Sequence, residues 1–402
     1  MPGDGRGFMK QMASLTEREL GLYVHIPFCV RKCDYCDFLS MPVEEALYRR
    51  YVNQLKQEIK KKAERCGGYQ VPTVFFGGGT PSVLPGGQIE EIMDSLQQNF
   101  DIRQDAEITV ECNPGTLTQI KLASYKRAGV NRLSLGLQSA KNEELKRLGR
   151  IHCFEEFLAS LDLARKAGFD NVNVDLMSAL PGQTLQDWRY TLKKVLAVKP
   201  EHISAYSLII EEGTPFYDKY REDELRRQKG ETPQYLPDEE TERQMYAMTT
   251  ELLAEKGYYR YEISNYALPG KACRHNMGYW RLTPYLGLGL GSSSLLESAR
   301  FCNASNLEQY LWGDPCSLKE SPELLQKSRQ MEEFMFLGLR MTEGISRNRF
   351  QELFGIELEC IYKDAFDKLR RQGLLQQREG RVFLTEEGIS VSNYALSEFL
   401  LE

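Results

Sequence analysis

Three cysteines, Cys29, Cys33 and Cys36, stand in the run Tyr23-Val24-His25-Ile26-Pro27-Phe28-Cys29-Val30-Arg31-Lys32-Cys33-Asp34-Tyr35-Cys36. A C-x3-C-x2-C loop can bring three thiolates to three corners of a four-iron cluster and leave the fourth iron open to a small molecule. Arg31 and Lys32 would offset part of the negative charge that the thiolates accumulate. Zinc is the competing occupant, but it needs a fourth Cys or His to close a tetrahedron. His25 is the only local option, and it is expected to point along the first strand. Phe28, Tyr35 and Phe38 are expected to form an apolar sleeve that keeps water from the loop.

A second group of residues could hold a nucleoside-sized ligand. Gly77-Gly78-Gly79-Thr80-Pro81 lets backbone amides approach a ligand closely, although such a run can equally be a tight turn. Glu111, Gln138 and Asp175 are expected at the ends of successive strands, where acceptors for hydroxyl or ammonium groups would converge. Arg150 offers a planar fork to a carboxylate, or is simply a surface arginine. Cys273-Arg274-His275-Asn276-Met277-Gly278-Tyr279-Trp280 combines an imidazole, a thioether and aromatic rings, the ingredients of a haem site. By chemistry alone a single histidine among aromatics is more often structural, and His152 and His202 are read that way.

Elements that could position these residues follow from periodicity. Strands are expected near 21–25, 73–76, 107–112, 132–137, 171–175 and 202–208, alternating with helices near 43–65, 87–99, 117–128, 154–167 and 185–198. Gly129 and Gly168 are placed to stop two of those helices in the left-handed conformation. The alternation implies an α/β fold, a partial (β/α)6 barrel with its site at the carboxyl edge of the strands. The expected divisions are an N-terminal tail over 1–20, the barrel over 21–240, a linking region with the haem-type run over 241–320, and a C-terminal accessory domain over 321–402. Within the barrel region, 211–240 reads as an irregular, charged excursion. The last division reads as mainly helical and winged-helix-like.

Of 402 residues, 42% are hydrophobic and 27% charged, with a formal net charge of -6, and no apolar run is long enough to span a bilayer. That balance argues against nucleic acid as a partner, and Lys60-Lys61-Lys62 reads as solvated surface. The first residues lack the apolar segment of a secretory signal, so cytoplasm is the expected compartment. Ten cysteines diluted through a long chain argue for free thiols rather than a disulfide scaffold.

The cysteine loop resembles the signature of the radical S-adenosylmethionine enzymes. From about Leu22 to Ile210 the chain is similar to the branch that contains oxygen-independent coproporphyrinogen III oxidase and its haem-chaperone relatives. The resemblance implies a 4Fe-4S cluster on Cys29, Cys33 and Cys36. It implies S-adenosylmethionine contacts at Tyr23, Gly78, Gly79, Thr80, Glu111, Gln138, Arg150 and Asp175. Three features lean to the chaperone family HemW: the short segment before Cys29, Phe38 where the oxidase has a further cysteine, and the run from His275 to Trp280. In that family the implied cargo is one haem per monomer, bound at His275 and passed to acceptor haemoproteins such as respiratory membrane proteins. A homodimer and a peripheral association with membranes through partners are further implications. The alternative is oxidative decarboxylation of coproporphyrinogen III to protoporphyrinogen IX.

Overall fold

Runs too short to be helices, rich in Val, Leu, Ile and Phe, alternate with longer amphipathic stretches through the first half of the chain, and such a chain lays each strand beside the last through a crossover helix. The computed structural model, which describes residues 18–401, contains six such strands, parallel and adjacent in chain order. They are β1 (Arg18–Ile26), β2 (Tyr69–Gly78), β3 (Asp101–Cys112), β4 (Arg132–Gln138), β5 (Val172–Ser178) and β6 (His202–Ser207). The main crossover helices are Ala46–Ala63, Gly86–Asn99, Gln119–Arg127, Phe154–Lys166 and Leu185–Ala197. Gly129 and Gly168 do adopt positive φ, 83° and 81°. Along β4 the period of two is explicit: Leu133, Leu135 and Leu137 are wholly buried in the main apolar core, and Ser134 and Gln138 bond across the barrel interior.

Residues 241–320 contribute strands to both edges of this sheet. At one edge β7 (Tyr259–Glu262) and β8 (Asn265–Ala267) add antiparallel to β6. At the other, β9 (Tyr285–Leu288) runs parallel to β1 and is followed by β10 (Ser293–Leu296), β11 (Ala299–Cys302) and, beyond that stretch, β12 (Glu323–Leu324). Between the two edges lies the helix Arg274–Trp280. It packs at the level of Gly21, Thr73 and Glu107, which are register partners across β1, β2 and β3.

The C-terminal region has its own aromatic core, with Phe334, Phe350, Phe354, Tyr362, Phe366 and Phe399 packed together. Helices Lys327–Gly338, Arg347–Phe354 and Leu358–Arg371 surround it. They are joined by a small antiparallel sheet of β13 (Ile345–Ser346), β14 (Leu375–Arg378) and β15 (Arg381–Leu384).

Several expectations change. Most of the tail, residues 1–17, lies outside the described residues, and β1 begins at Arg18 rather than Gly21. The charged excursion contains the helix Pro215–Gln228, capped by the Thr214 hydroxyl, which accepts from Tyr217 N at 3.2 Å. Only Phe216, Tyr220 and Asp223 of that helix are buried, so its charged remainder hid the period. Lys62 is not solvated surface: its ammonium lies 2.8 Å from the fully buried Glu58 and 2.7 Å from Asn303 Oδ1. That pairing ties the first crossover helix to the residue after β11, and Glu58 also accepts from Gly289 N just after β9.

Candidate active site and the helix beneath it

The cysteine loop leaves the end of β1 and is pinned on both sides. Met41 N donates to Pro27 O at 2.8 Å, Cys29 N to Met41 O at 3.1 Å, and Asp34 N to Leu148 O at 3.2 Å. All three thiols are free and half-buried. Cys29 Sγ lies 3.5 Å from Thr80 Oγ1, and the Arg150 guanidinium donates to Cys33 Sγ at 3.5 Å. Burial raises the Cys36 thiol above its ordinary range, and Cys33 and Cys29 add to the effect. Among the described residues no three His, Cys, Asp or Glu side chains gather at metal-ligating spacing. His25, the one local candidate to complete a zinc tetrahedron, already uses both ring nitrogens, with Tyr23 OH at 3.1 Å and Leu39 O at 2.9 Å. Soft thiolates with a guanidinium beside them are a donor set that fits an iron–sulfur cluster.

The expected aromatic sleeve is only partly present. Phe28 turns into the core against Tyr48 and Tyr51 because, two residues past the end of β1, it faces the first crossover helix. Phe38 is 62% exposed. Tyr35 alone packs beside the thiols, edge-on to Phe216.

The glycine run is dictated by close approach. Gly79 N donates to Ile26 O at 2.9 Å and Thr80 N to Phe28 O at 2.8 Å, so the run lies directly against the start of the cysteine loop. A Cβ at Gly79 would fall 2.6 Å from Phe28 O, and one at Gly78, where φ is 111°, would fall 2.4 Å from the His25 ring. Gly78 N donates to Glu111 Oε2 at 3.2 Å. Glu111 is pushed up to about 8, chiefly by burial and then by the charge of Asp175. Tyr23, His25, Phe38, Gly78, Glu111 and Tyr279 line a cavity of about 370 Å³ here. That volume lies within the range of small-molecule pockets, about 300–1,000 Å³.

Gln138 ends β4 at φ 72°, where the register to β5 slips, and its amide oxygen accepts from Tyr206 OH at 3.1 Å. Arg150 is half-buried and turned inward, donating to Asn113 Oδ1 at 2.8 Å and Gly136 O at 2.7 Å, with its buried Nε unpaired. Asp175 sits in the middle of β5 rather than at its end, one layer below the mouth, with Ser134 Oγ and Asn173 Nδ2 donating to its oxygens. Asn113 and Tyr206 were missed. Asn113 Nδ2 donates to Thr80 Oγ1 at 2.9 Å, so this one amide joins the glycine run to Arg150. Its place just after β3 and before Pro114 was the available signal.

His275 is brought elsewhere, to the opposite end of the barrel. Four residues separate the level of Gly21 from that of His25, which is about 13 Å along a strand. Glu107 of β3 accepts from Arg274 N and His275 N, both at 3.1 Å, replacing the missing side-chain cap of this helix. The imidazole is 3% exposed and stacks on Phe75. Its Nδ1 is 2.9 Å from Thr73 Oγ1 and its Nε2 is 2.9 Å from Tyr279 OH. Burial, with Arg132 nearby, lowers it to about 3, so it is neutral. With both nitrogens engaged, His275 reaches iron only after releasing one partner. Trp280 turns away to the C-terminal region, where the Arg340 guanidinium lies 4.5 Å over its ring.

A partial parallel barrel with a three-thiol loop at the carboxyl edge of its first strand defines a radical SAM protein. The sequence profile of the Radical SAM superfamily matches residues 23–195, and that of the HemN C-terminal domain matches 325–391. A solved structure of coproporphyrinogen III oxidase (HemN) from Escherichia coli shares the fold, with a TM-score of 0.81 over 99% of this chain and 93% of the other, at 24% identity. Over 389 residues the chain is 35% identical to Heme chaperone HemW of Lactococcus lactis, covering 96% of this chain and 99% of the relative. It is 35% identical over 390 residues to Heme chaperone HemW of Escherichia coli, covering 95% and 98%. The chain belongs to the HemW family. Membership of the superfamily implies a 4Fe-4S cluster and S-adenosylmethionine. No described helix is long and apolar enough to cross a membrane.

Proposed function

We propose that this protein is a haem chaperone: it binds haem and passes it to acceptor haemoproteins, and it carries a 4Fe-4S cluster and S-adenosylmethionine. The observation that carries the reading is the run from His275 to Trp280 on a helix set into the barrel, in a chain whose near-full-length relatives bear the name heme chaperone. Cys29, Cys33 and Cys36 would hold the cluster, whose chemistry when bound is one-electron reduction of the sulfonium. The chain's own residues would bind and orient the nucleoside. Tyr23, Gly78, Gly79 and Thr80 would supply backbone and hydroxyl contacts. Glu111, Gln138 and Asp175 would act as acceptors, and Arg150 would face the methionine carboxylate. The buried Glu111, held near neutrality, would gain a negative charge when a cation arrives beside it.

The test is an anaerobic reconstitution with iron and sulfide, followed by coproporphyrinogen III and S-adenosylmethionine. The chaperone reading expects no protoporphyrinogen; sustained turnover would assign the oxidase activity instead. The compartment is proposed to be cytoplasmic, with contact to membranes only through haem acceptors, and a homodimer is the proposed assembly.

A further inference from the structure

The helix Arg274–Trp280 offers solvent a composed face. Arg274, Met277, Gly278 and Arg281 follow one another at the i, i+3, i+4, i+7 spacing of a single helical side, and all four line one cleft of about 220 Å³. This cleft is at the amino end of the barrel, distinct from the cavity beside the cysteine loop. Tyr279 and Tyr285 line both and so form the wall between them.

Two features of that face call for a ligand. Gly278 lies inside a helix, where glycine costs stability relative to alanine, yet packing does not require it there. Its φ is not in the left-handed region, and a Cβ would meet nothing closer than Thr283 Cβ at 3.7 Å. The missing side chain therefore leaves the middle of the face bare, as a flat ligand lying on it would need. Two guanidiniums flank this bare centre, about 10 Å apart along the helix. The Arg274 guanidinium, half-buried, donates to Asp105 O at 2.7 Å and reaches a carboxylate, Asp105 Oδ2, at 3.8 Å, and the exposed Arg281 pairs with Glu343 at 2.9 Å; an incoming carboxylate can compete for both at the rim of the cleft.

We propose that this face seats the carboxylate-bearing edge of a planar tetrapyrrole dianion, with Arg274 and Arg281 pairing its two propionates and Gly278 letting the ring approach the helix. The inference rests on the haem reading above and adds the chemistry that recognises the propionates. A cleft of about 220 Å³ encloses one edge of such a macrocycle and leaves the rest exposed, where an acceptor can collect it.

The test titrates the full-length protein with haem and with haem dimethyl ester, whose propionates carry no charge. Arg274→Gln with Arg281→Gln should weaken haem at least tenfold and leave the ester within twofold of wild type. Gly278→Ile should weaken both at least tenfold, with the cluster spectrum after reconstitution reporting an intact fold. If wild type binds haem but the arginine pair discriminates nothing between acid and ester, the seat is wrong. If wild type binds neither ligand, the haem reading itself falls.

Discussion

His275 Nε2 and Tyr279 OH stand 2.9 Å apart, one turn of helix from each other, and this bond occupies the imidazole nitrogen that faces away from Thr73. A typical intramolecular hydrogen bond is worth about 1 kcal/mol net. Tyr279→Phe should therefore release Nε2 and tighten haem binding about fivefold, whereas His275→Ala should weaken it and alter the Soret band. Haem titrations of both variants check this; an unchanged affinity in Tyr279→Phe would mean that His275 Nε2 is not the group iron seeks.

Glu111 makes ligand binding depend on pH. Buried near Asp175, Tyr23 and Arg132, its carboxyl is raised to about 8, far above the ordinary glutamate range, so below that pH the ligand-free protein holds a proton there. A cationic ligand favours the carboxylate, and its binding expels that proton. S-adenosylmethionine affinity should climb from pH 6 to 8 by up to about tenfold per unit and then level off. Glu111→Gln should bind more weakly and show no such slope. The linkage has the opposite sign for the free protein. The unfolded chain loses this proton at lower pH than the folded one, so the group's contribution to stability declines as pH rises toward 8 and is constant above it. Thermal melts of the ligand-free protein across that range measure the decline.

Two neighbouring glycine segments should respond in opposite ways. Gly79→Ala drives a methyl into the Phe28 carbonyl, 2.6 Å away, and should cost about 1–3 kcal/mol, since backbone cannot retreat as a side chain can. Gly87→Ala meets nothing within 4 Å in the first turn of its helix and should stabilise by about 0.5–1 kcal/mol. Denaturant melts of the two variants separate close approach from mere turn-making.

Asn113→Ala removes the single amide that ties Thr80 to Arg150. S-adenosylmethionine affinity should drop about tenfold, the loss of a hydrogen-bonded partner of a charged group, while iron and sulfide content stay at wild-type levels. Equilibrium binding together with metal analysis distinguishes this from collapse of the cysteine loop.

Much of the barrel could be read from the chain because its signals are local. The thiol spacing, the glycine run and the period-two strands each lie within a few consecutive residues; in the structure Tyr23, Gly78 and Glu111 line one cavity, and Arg150 joins the glycine run through Asn113. What escaped was set by distant partners. Nothing near Lys62 announces that Glu58 and Asn303 will bury it. The depth of Asp175 depends on strand register, which no local pattern encodes. The strands 285–302 are short and irregular, and they exist because β1 offers an edge to pair with. The chemistry of His275 alone leaned to a structural role and only family resemblance made it a haem ligand; its partners Thr73 and Tyr279 are visible only in the folded chain.

The central claim is delivery of haem, and transfer itself tests it most directly. Haem-loaded protein, with its cluster reconstituted and S-adenosylmethionine present, is mixed anaerobically with an acceptor haemoprotein stripped of its cofactor. Visible spectra follow both partners. The account expects one equivalent of haem to leave this protein and the acceptor to recover its native spectrum, faster than from free haem, with both effects lost in His275→Ala. Haem that remains bound while the acceptor stays empty would contradict it.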